Sequence, residues 1–153
     1  MTAKVLVVDN DAEMLTVLHR HFESEGYAVT GAAGGPAALE AMERDDFDVI
    51  LTDLVMDDVD GLTVMRQAQQ RRPSPRVVLM TAFASLETAI EAIRAGAYDY
   101  LTKPFKLAEA SLAIDALGAL VDALGDRLAP HHEALREAVT QLRLAFVELS
   151  APR

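Results

Sequence analysis

Three short stretches of this chain are apolar without interruption, and each runs into a side chain that carries oxygen. Lys4–Val8 (KVLVV) leads to Asp9, Asp48–Thr52 (DVILT) leads to Asp53, and Arg76–Met80 (RVVLM) leads to Thr81. The runs are rich in valine, leucine and isoleucine and do not alternate with polar residues. A half-exposed strand would alternate, so these runs predict strands buried on both faces, as in a parallel sheet covered by helices. Tyr27–Thr30 and Tyr98–Thr102 are weaker strand signals of the same kind.

Helical periodicity fills the gaps between the strands. Leu15, Leu18 and Phe22 recur at helical spacing within Ala12–Glu25, and Gly26 stops that segment. Pro36 suits the first turn of a helix carrying Leu39 and Met42. Leu62, Met65 and Ala68 share one face of Leu62–Arg71, which ends before Pro73 and Pro75. Ser85 is placed to cap a helix carrying Leu86, Ile90 and Ile93, closed by Gly96. Strand and helix therefore alternate five times. That order predicts an α/β fold with a doubly wound, five-stranded parallel sheet and right-handed crossovers. Sites in such folds lie beyond the carboxyl ends of the strands.

Asp9, Asp53, Thr81 and Lys103 all fall at such ends. Asp9, Asn10 and Asp53 offer carboxylate and amide oxygens suited to Mg²⁺, a hard cation. Lys103 offers an ammonium and Thr81 a hydroxyl. A carboxylate beside a divalent cation and an ammonium is equipped to attack phosphorus while the cations neutralise the phosphoryl oxygens. A lone strand-end aspartate is ordinarily a helix cap, and a lone lysine is ordinarily solvated. Four strand ends carrying complementary chemistry are a different matter.

Composition narrows the classes. The formal charge is −10, from 14 basic and 24 acidic residues, which opposes direct contact with nucleic acid. The absence of cysteine excludes a disulfide scaffold, a cysteine nucleophile and thiolate metal sites. No apolar run approaches the ~20 residues of a membrane span. The N-terminal stretch reaches acids by Asp9, unlike a signal peptide. A cytoplasmic location away from membranes is the expectation.

Four phrases together carry a family resemblance: VLVVDND at 5–11, DVILTDLVMDDVDGL at 48–62, VVLMTA at 77–82 and AGAYDYLTKPF at 95–105. As a set they resemble a two-component response-regulator receiver domain, of the kind found in nitrogen regulators. The resemblance implies a flavodoxin-like sheet with strand order 2-1-3-4-5. It implies that Asp53 accepts a phosphoryl group from a sensor histidine kinase. Asp9 and Asn10 stand at the positions of the acidic pair that holds Mg²⁺, with Asp53 and the backbone carbonyl of Val55 as further ligands. Lys103 pairs with the phosphoryl group, and Thr81 turns toward it. Tyr100 stands at the aromatic switch position, and the Lys103–Pro104 bond is cis in the family. Tyrosine is also simply a good strand residue.

Three departures from the family pattern bear on chemistry. Asn10 replaces the second acid of the pair, and an amide oxygen binds Mg²⁺ more weakly than a carboxylate. Asp11 could compensate in part through a water. Asp57 stands where a proline is usual, adding negative charge and loosening the loop. Val55 and Phe83, two residues after Asp53 and Thr81, are apolar where polar residues help to position hydrolytic water. Slow loss of phosphate from Asp53 is therefore expected.

Beyond the receiver, taken as residues 1–122, lies a helical extension at 123–153 that could serve dimerisation or partner binding. Leu107, Ala110, Ile114, Leu117, Val121, Leu124 and Leu128 recur at alternating intervals of three and four, interrupted by Gly125 and Pro130. Leu135, Leu142 and Leu149, with Val139 and Phe146, form a second stripe that must be covered, by the receiver or by a second chain. His131, His132 and Glu133 are adjacent and so diverge around a helix, which suits solvated first-turn residues better than a metal site. No P-loop and no DNA-binding helix-turn-helix is recognisable. The resulting expectation is a stand-alone response regulator. It would be a signalling phosphoacceptor, catalysing only its own phosphotransfer and dephosphorylation. It would contact a homodimer mate or downstream protein through the face of the fourth helix, fifth strand and fifth helix. The competing reading is a pseudo-receiver that binds partners without being phosphorylated.

Overall fold

The computed structural model describes residues 2–72, 74–82 and 85–114, together with residue 141. Within them five strands alternate with helices: β1 (Lys4–Val8), α1 (Ala12–Ser24), β2 (Ala28–Ala32), α2 (Gly35–Arg44), β3 (Val49–Asp53), α3 (Gly61–Gln69), β4 (Arg76–Thr81), α4 (Leu86–Arg94) and β5 (Asp99–Thr102). A further helical segment covers 107–114. The strands form one parallel sheet in the order β2-β1-β3-β4-β5.

Alternation along the strands divides the core into two layers. Leu6, Val8, Ile50, Val77 and Leu79 point to the side covered by Ala38 and Met42 of α2, Val64, Met65 and Ala68 of α3, and Ala92 and Ile93 of α4. Val5, Val7, Val49, Leu51, Val78 and Met80 point to the opposite side, covered by Leu18 and Phe22 of α1 and by Ala110, Ala113 and Ile114. Because both sides are covered, the middle of each central strand (Val5–Val8, Val49–Leu51 and Val77–Met80) is apolar without interruption, which is why these runs stand out in the sequence. β2 is an edge strand and largely exposed, and its signal is correspondingly weak.

Element ends shift by small amounts for local reasons. β2 begins at Ala28 because the Tyr27 N–H closes the end of α1 on the Phe22 carbonyl, and its pairing runs on to Ala32 opposite Val8. β3 begins at Val49, one residue later than its apolar run suggests, and includes Asp53 opposite Met80. Asp48 instead turns its carboxylate to the Lys4 N–H at 2.7 Å. α3 starts at Gly61, capped by the Asp60 carboxylate, which accepts the Thr63 N–H at 2.8 Å. Ser85 caps α4 in a reciprocal box with Thr88.

The first part of the C-terminal stripe seats on the sheet: Leu107 is partly covered, and Ala110 and Ile114 are buried. Leu117 and the remainder of both stripes, with His131, His132 and Glu133, lie outside the described residues, as do Pro73 and Phe83. No helix among the described residues is long and apolar enough to cross a membrane.

Candidate functional site

The parity that sorts the core also sorts the strand ends. Asp9 follows Val8 and Asp53 follows Thr52, so both continue the rows that face α1. Lys103 continues the row of Leu101 on the same side. The three side chains meet there. The Lys103 ammonium donates to Asp9 Oδ2 at 2.7 Å and to Asp53 Oδ2 at 3.1 Å. Asp9 is fully buried, and the Asp53 and Lys103 side chains are only 12% and 15% exposed, so these ion pairs are little screened by water.

The remaining carboxylate oxygens are held by backbone. Asp9 Oδ1 accepts the Asp11 N–H at 2.9 Å, and Asp53 Oδ1 receives the Val55 N–H at 3.4 Å. The Lys103–Pro104 bond is cis, and the Lys103 N–H donates to the Thr81 carbonyl at 2.8 Å. That bond ties the residue after β5 to the end of β4.

Two carboxylates share one ammonium, and their ionisation reflects it. Burial pushes the Asp53 carboxyl above its ordinary range. The Lys103 ammonium and the Val55 N–H pull it back, and Asp9 adds to the rise, leaving a net upward shift. Burial acts on Lys103 in the opposite sense, but its hydrogen bonds and attraction to Asp9 and Asp53 outweigh this and hold the ammonium above its usual value.

The other residues singled out from the sequence take different places. Thr81 is fully buried at the end of β4, on the opposite parity from Asp53. Register sets Leu79 beside Tyr100 and Thr81 beside Thr102, so Thr81 and Tyr100 are diagonal neighbours on one sheet face. Asn10 is exposed. Asp11 is the N-cap of α1, its Oδ1 accepting the Glu13 and Met14 N–H groups at 2.9 and 3.3 Å. The ordinary capping role thus accounts for one oxygen of the side chain that was to assist the metal through water. Val55 is 54% exposed, and Asp57 is exposed in the turn before α3. Among the described residues, no three His, Cys, Asp or Glu side chains are grouped to hold a metal. Asp9 and Asp53 supply two carboxylates, and Asn10, next to Asp9, carries an amide.

Three features escaped the sequence reading. Gly61 lets α3 start against the end of β3: a Cβ there would lie 2.3 Å from the Asp53 carbonyl oxygen. The Tyr100 hydroxyl bonds Thr88 Oγ1 at 3.2 Å. Thr88 is visible only as the fourth residue of a Ser-x-x-Thr cap. His21, Glu25 and Ser111 form a polar cluster under the segment at 107–114: Ser111 Oγ lies 2.8 Å from both His21 Nε2 and Glu25 Oε2. No spacing signal links residues so far apart in the chain.

These elements, in this order, with acids at the ends of β1 and β3 and a lysine after β5, define a class that comparison with known proteins identifies. The family model described as "Response regulator receiver domain" matches residues 5–115, and the chain belongs to that family, a signalling module of two-component systems. It is similar to the transcriptional regulatory protein ZraR of Escherichia coli K12, 40% identical over 100 residues, covering 65% of this chain and 23% of that protein. It is also similar to the DNA-binding transcriptional regulator NtrC of the same organism, 39% identical over 111 residues, covering 72% of this chain and 24% of the relative. The chain thus spans about a quarter of the length of these relatives. Among solved structures it resembles a response regulator protein from Burkholderia pseudomallei with a phosphorylated aspartic acid, calcium ion and citrate. The TM-score is 0.69 at 30% identity, covering 79% of this chain and 71% of that one.

Proposed function

We propose that this receiver accepts a phosphoryl group on Asp53 from a sensor histidine kinase and signals through protein–protein contact. The observation that carries the reading is the Lys103 ammonium bound to both Asp9 and Asp53 at the carboxyl edge of the sheet. A solved relative with a phosphorylated aspartic acid and a calcium ion supports it. In this reading an Asp53 carboxylate oxygen attacks phosphorus, an acyl phosphate forms, and the bond to the donor's leaving group breaks. Lys103 holds the carboxylate before transfer and offers its positive charge to the phosphoryl oxygens after it. The Val55 N–H steadies Asp53, and Thr81 lends its hydroxyl from the end of β4.

The donor set fits Mg²⁺, because every candidate ligand is an oxygen: the Asp9 and Asp53 carboxylates, the Asn10 amide and the Val55 backbone carbonyl. Bound there, Mg²⁺ would supply positive charge against the phosphoryl oxygens. Asp9 Oδ1 is already bonded to the Asp11 backbone and Asp9 Oδ2 to Lys103, so Asp9 would have to be shared between Lys103 and Mg²⁺.

The output is assigned to the face of α4, β5 and the helix that begins at 107, extended by residues 123–153, which would contact a second copy or a downstream protein. The name of one relative includes DNA binding. For this chain the net charge of −10 favours a protein partner over nucleic acid. The test is incubation with Mg²⁺ and acetyl phosphate followed by intact mass measurement. A gain of one phosphoryl group that disappears in Asp53→Asn supports the reading. No gain with acetyl phosphate or with phosphorylated kinase overturns it in favour of a binding module that is not phosphorylated.

A further inference from the structure

Thr88 sits in the first turn of α4 and makes two sets of contacts. It completes the helix cap: its Oγ1 accepts the Ser85 N–H at 3.1 Å, and its N–H donates to Ser85 Oγ at 3.1 Å. The same Oγ1 bonds the Tyr100 hydroxyl at 3.2 Å, joining α4 to β5. The Tyr100 ring is half-buried and packs against the core layer under α2, α3 and α4. Thr81 is its diagonal neighbour on that sheet face, and the Thr81 carbonyl holds the Lys103 N–H. Two sets of contacts meet at β5: Asp53 bonds Lys103 and the Lys103 N–H bonds the Thr81 carbonyl, while Thr88 bonds Tyr100, which leads along β5 to Lys103.

The geometry points to Thr88 as a positioning residue for the phosphoryl chemistry: its hydroxyl fixes the Tyr100 ring beside Thr81 and so couples the cap of α4 to the site at Asp53. The inference rests on the phosphoacceptor reading and adds a residue that does not touch the reacting atoms. A side-chain hydrogen bond between half-buried groups is strong enough to change a rate several-fold, and too weak to decide whether the chain folds. Burial holds the Tyr100 phenol above its ordinary value, and the bond to Thr88 draws it part of the way back.

The test compares Thr88→Val, Thr88→Ser, Tyr100→Phe and the Thr88→Val/Tyr100→Phe pair, each in the full chain. The rate of phosphoryl gain on Asp53 from acetyl phosphate with Mg²⁺ should fall roughly two- to tenfold in Thr88→Val and in Tyr100→Phe. It should recover in Thr88→Ser and fall no further in the double variant. Tyr100→Phe leaves the cap of α4 intact, so a loss there cannot be ascribed to a frayed helix. The phenolate titration of Tyr100, taken as the difference from Tyr100→Phe backgrounds, should move further upward in Thr88→Val and stay in place in Thr88→Ser. Additive losses, or an unmoved titration in a protein that still takes phosphate, would overturn the coupling alone. Absence of phosphoryl gain in the unmodified chain would overturn the phosphoacceptor reading and this role with it, even if the titration moved.

Discussion

Gly61 abuts the backbone of Asp53: a Cβ at position 61 would lie 2.3 Å from the Asp53 carbonyl oxygen and 2.9 Å from Leu54 Cα. The Gly61 N–H meanwhile donates to the Leu54 carbonyl at 2.9 Å. The start of α3 is thereby pinned to the strand end that carries the candidate phosphoacceptor. Backbone cannot swing aside as a flexible side chain can, so a methyl group here must push α3 away from β3. Gly61→Ala is expected to lower stability by about 1–3 kcal/mol, as overpacking does. It should also slow phosphoryl gain on Asp53. Urea denaturation and intact mass measurement check the two effects, and an unchanged midpoint would contradict the close approach.

Asp53→Asn should stabilise the protein near neutral pH when no metal is added. The folded state raises the Asp53 carboxyl above its ordinary value, through burial and through Asp9. The folded state therefore binds the proton more tightly than the unfolded chain, and the ionised carboxylate costs stability at neutral pH. That cost fades as pH falls through the folded value toward the ordinary 3.8. The variant's melting temperature should exceed that of the unmodified protein by a few degrees at pH 7, and the gap should shrink toward pH 4. A gap that widened in acid would reverse the sign.

Lys103→Met removes the charge that both buried acids share. Breaking a buried pair by deleting one partner costs about 3–5 kcal/mol. Mg²⁺ should restore part of the loss, because a cation at Asp9 and Asp53 replaces some of the missing charge. The rise in melting temperature on adding Mg²⁺ should therefore be larger in Lys103→Met than in the unmodified chain. An equal or smaller rise would count against the assignment of Asp9 and Asp53 to the metal.

Asp11→Ala separates capping from metal binding. The Asp11 carboxylate accepts two N–H groups at the start of α1, and losing such a cap costs about 1 kcal/mol. Mg²⁺ affinity, measured by calorimetry, should change far less than in Asp9→Asn. A comparable loss in both variants would return Asp11 to the metal site.

Phosphate on Asp53 should be lost slowly. Val55 is exposed beside Asp53 and offers incoming water no hydrogen-bonding group on its side chain. Val55→Glu or Val55→Asn should shorten the lifetime of the purified phosphoprotein several-fold, followed by mass with no phosphatase present. Rapid decay of the unmodified phosphoprotein would refute the expectation.

Much of the fold was legible in the residue order. The runs leading to Asp9, Asp53 and Thr81 announced central strands because burial on both faces leaves Val5–Val8, Val49–Leu51 and Val77–Met80 apolar, with Thr52 a buried polar residue at the end of its run. Gly26 and Gly96, with φ of 93° and 103°, close α1 and α4 where their positions suggested, since only glycine takes that backbone without strain. β2 was the harder strand to bound, because an edge strand leaves most of its side chains in water and loses its apolar signature.

By itself the sequence determined the alternation of elements, the doubly wound parallel sheet and the set of strand ends that carry oxygen and ammonium groups. Those properties follow from local periodicity and turn chemistry, which neighbouring residues encode. Only the tertiary structure decided which of those groups meet. It brought Lys103 onto both Asp9 and Asp53, and set Thr81 on the other sheet face with Tyr100. It turned Asp11 to the helix cap and joined Thr88 to Tyr100. Strand order and side-chain parity at the carboxyl edge govern those outcomes, and they arise from contacts between segments distant in the chain.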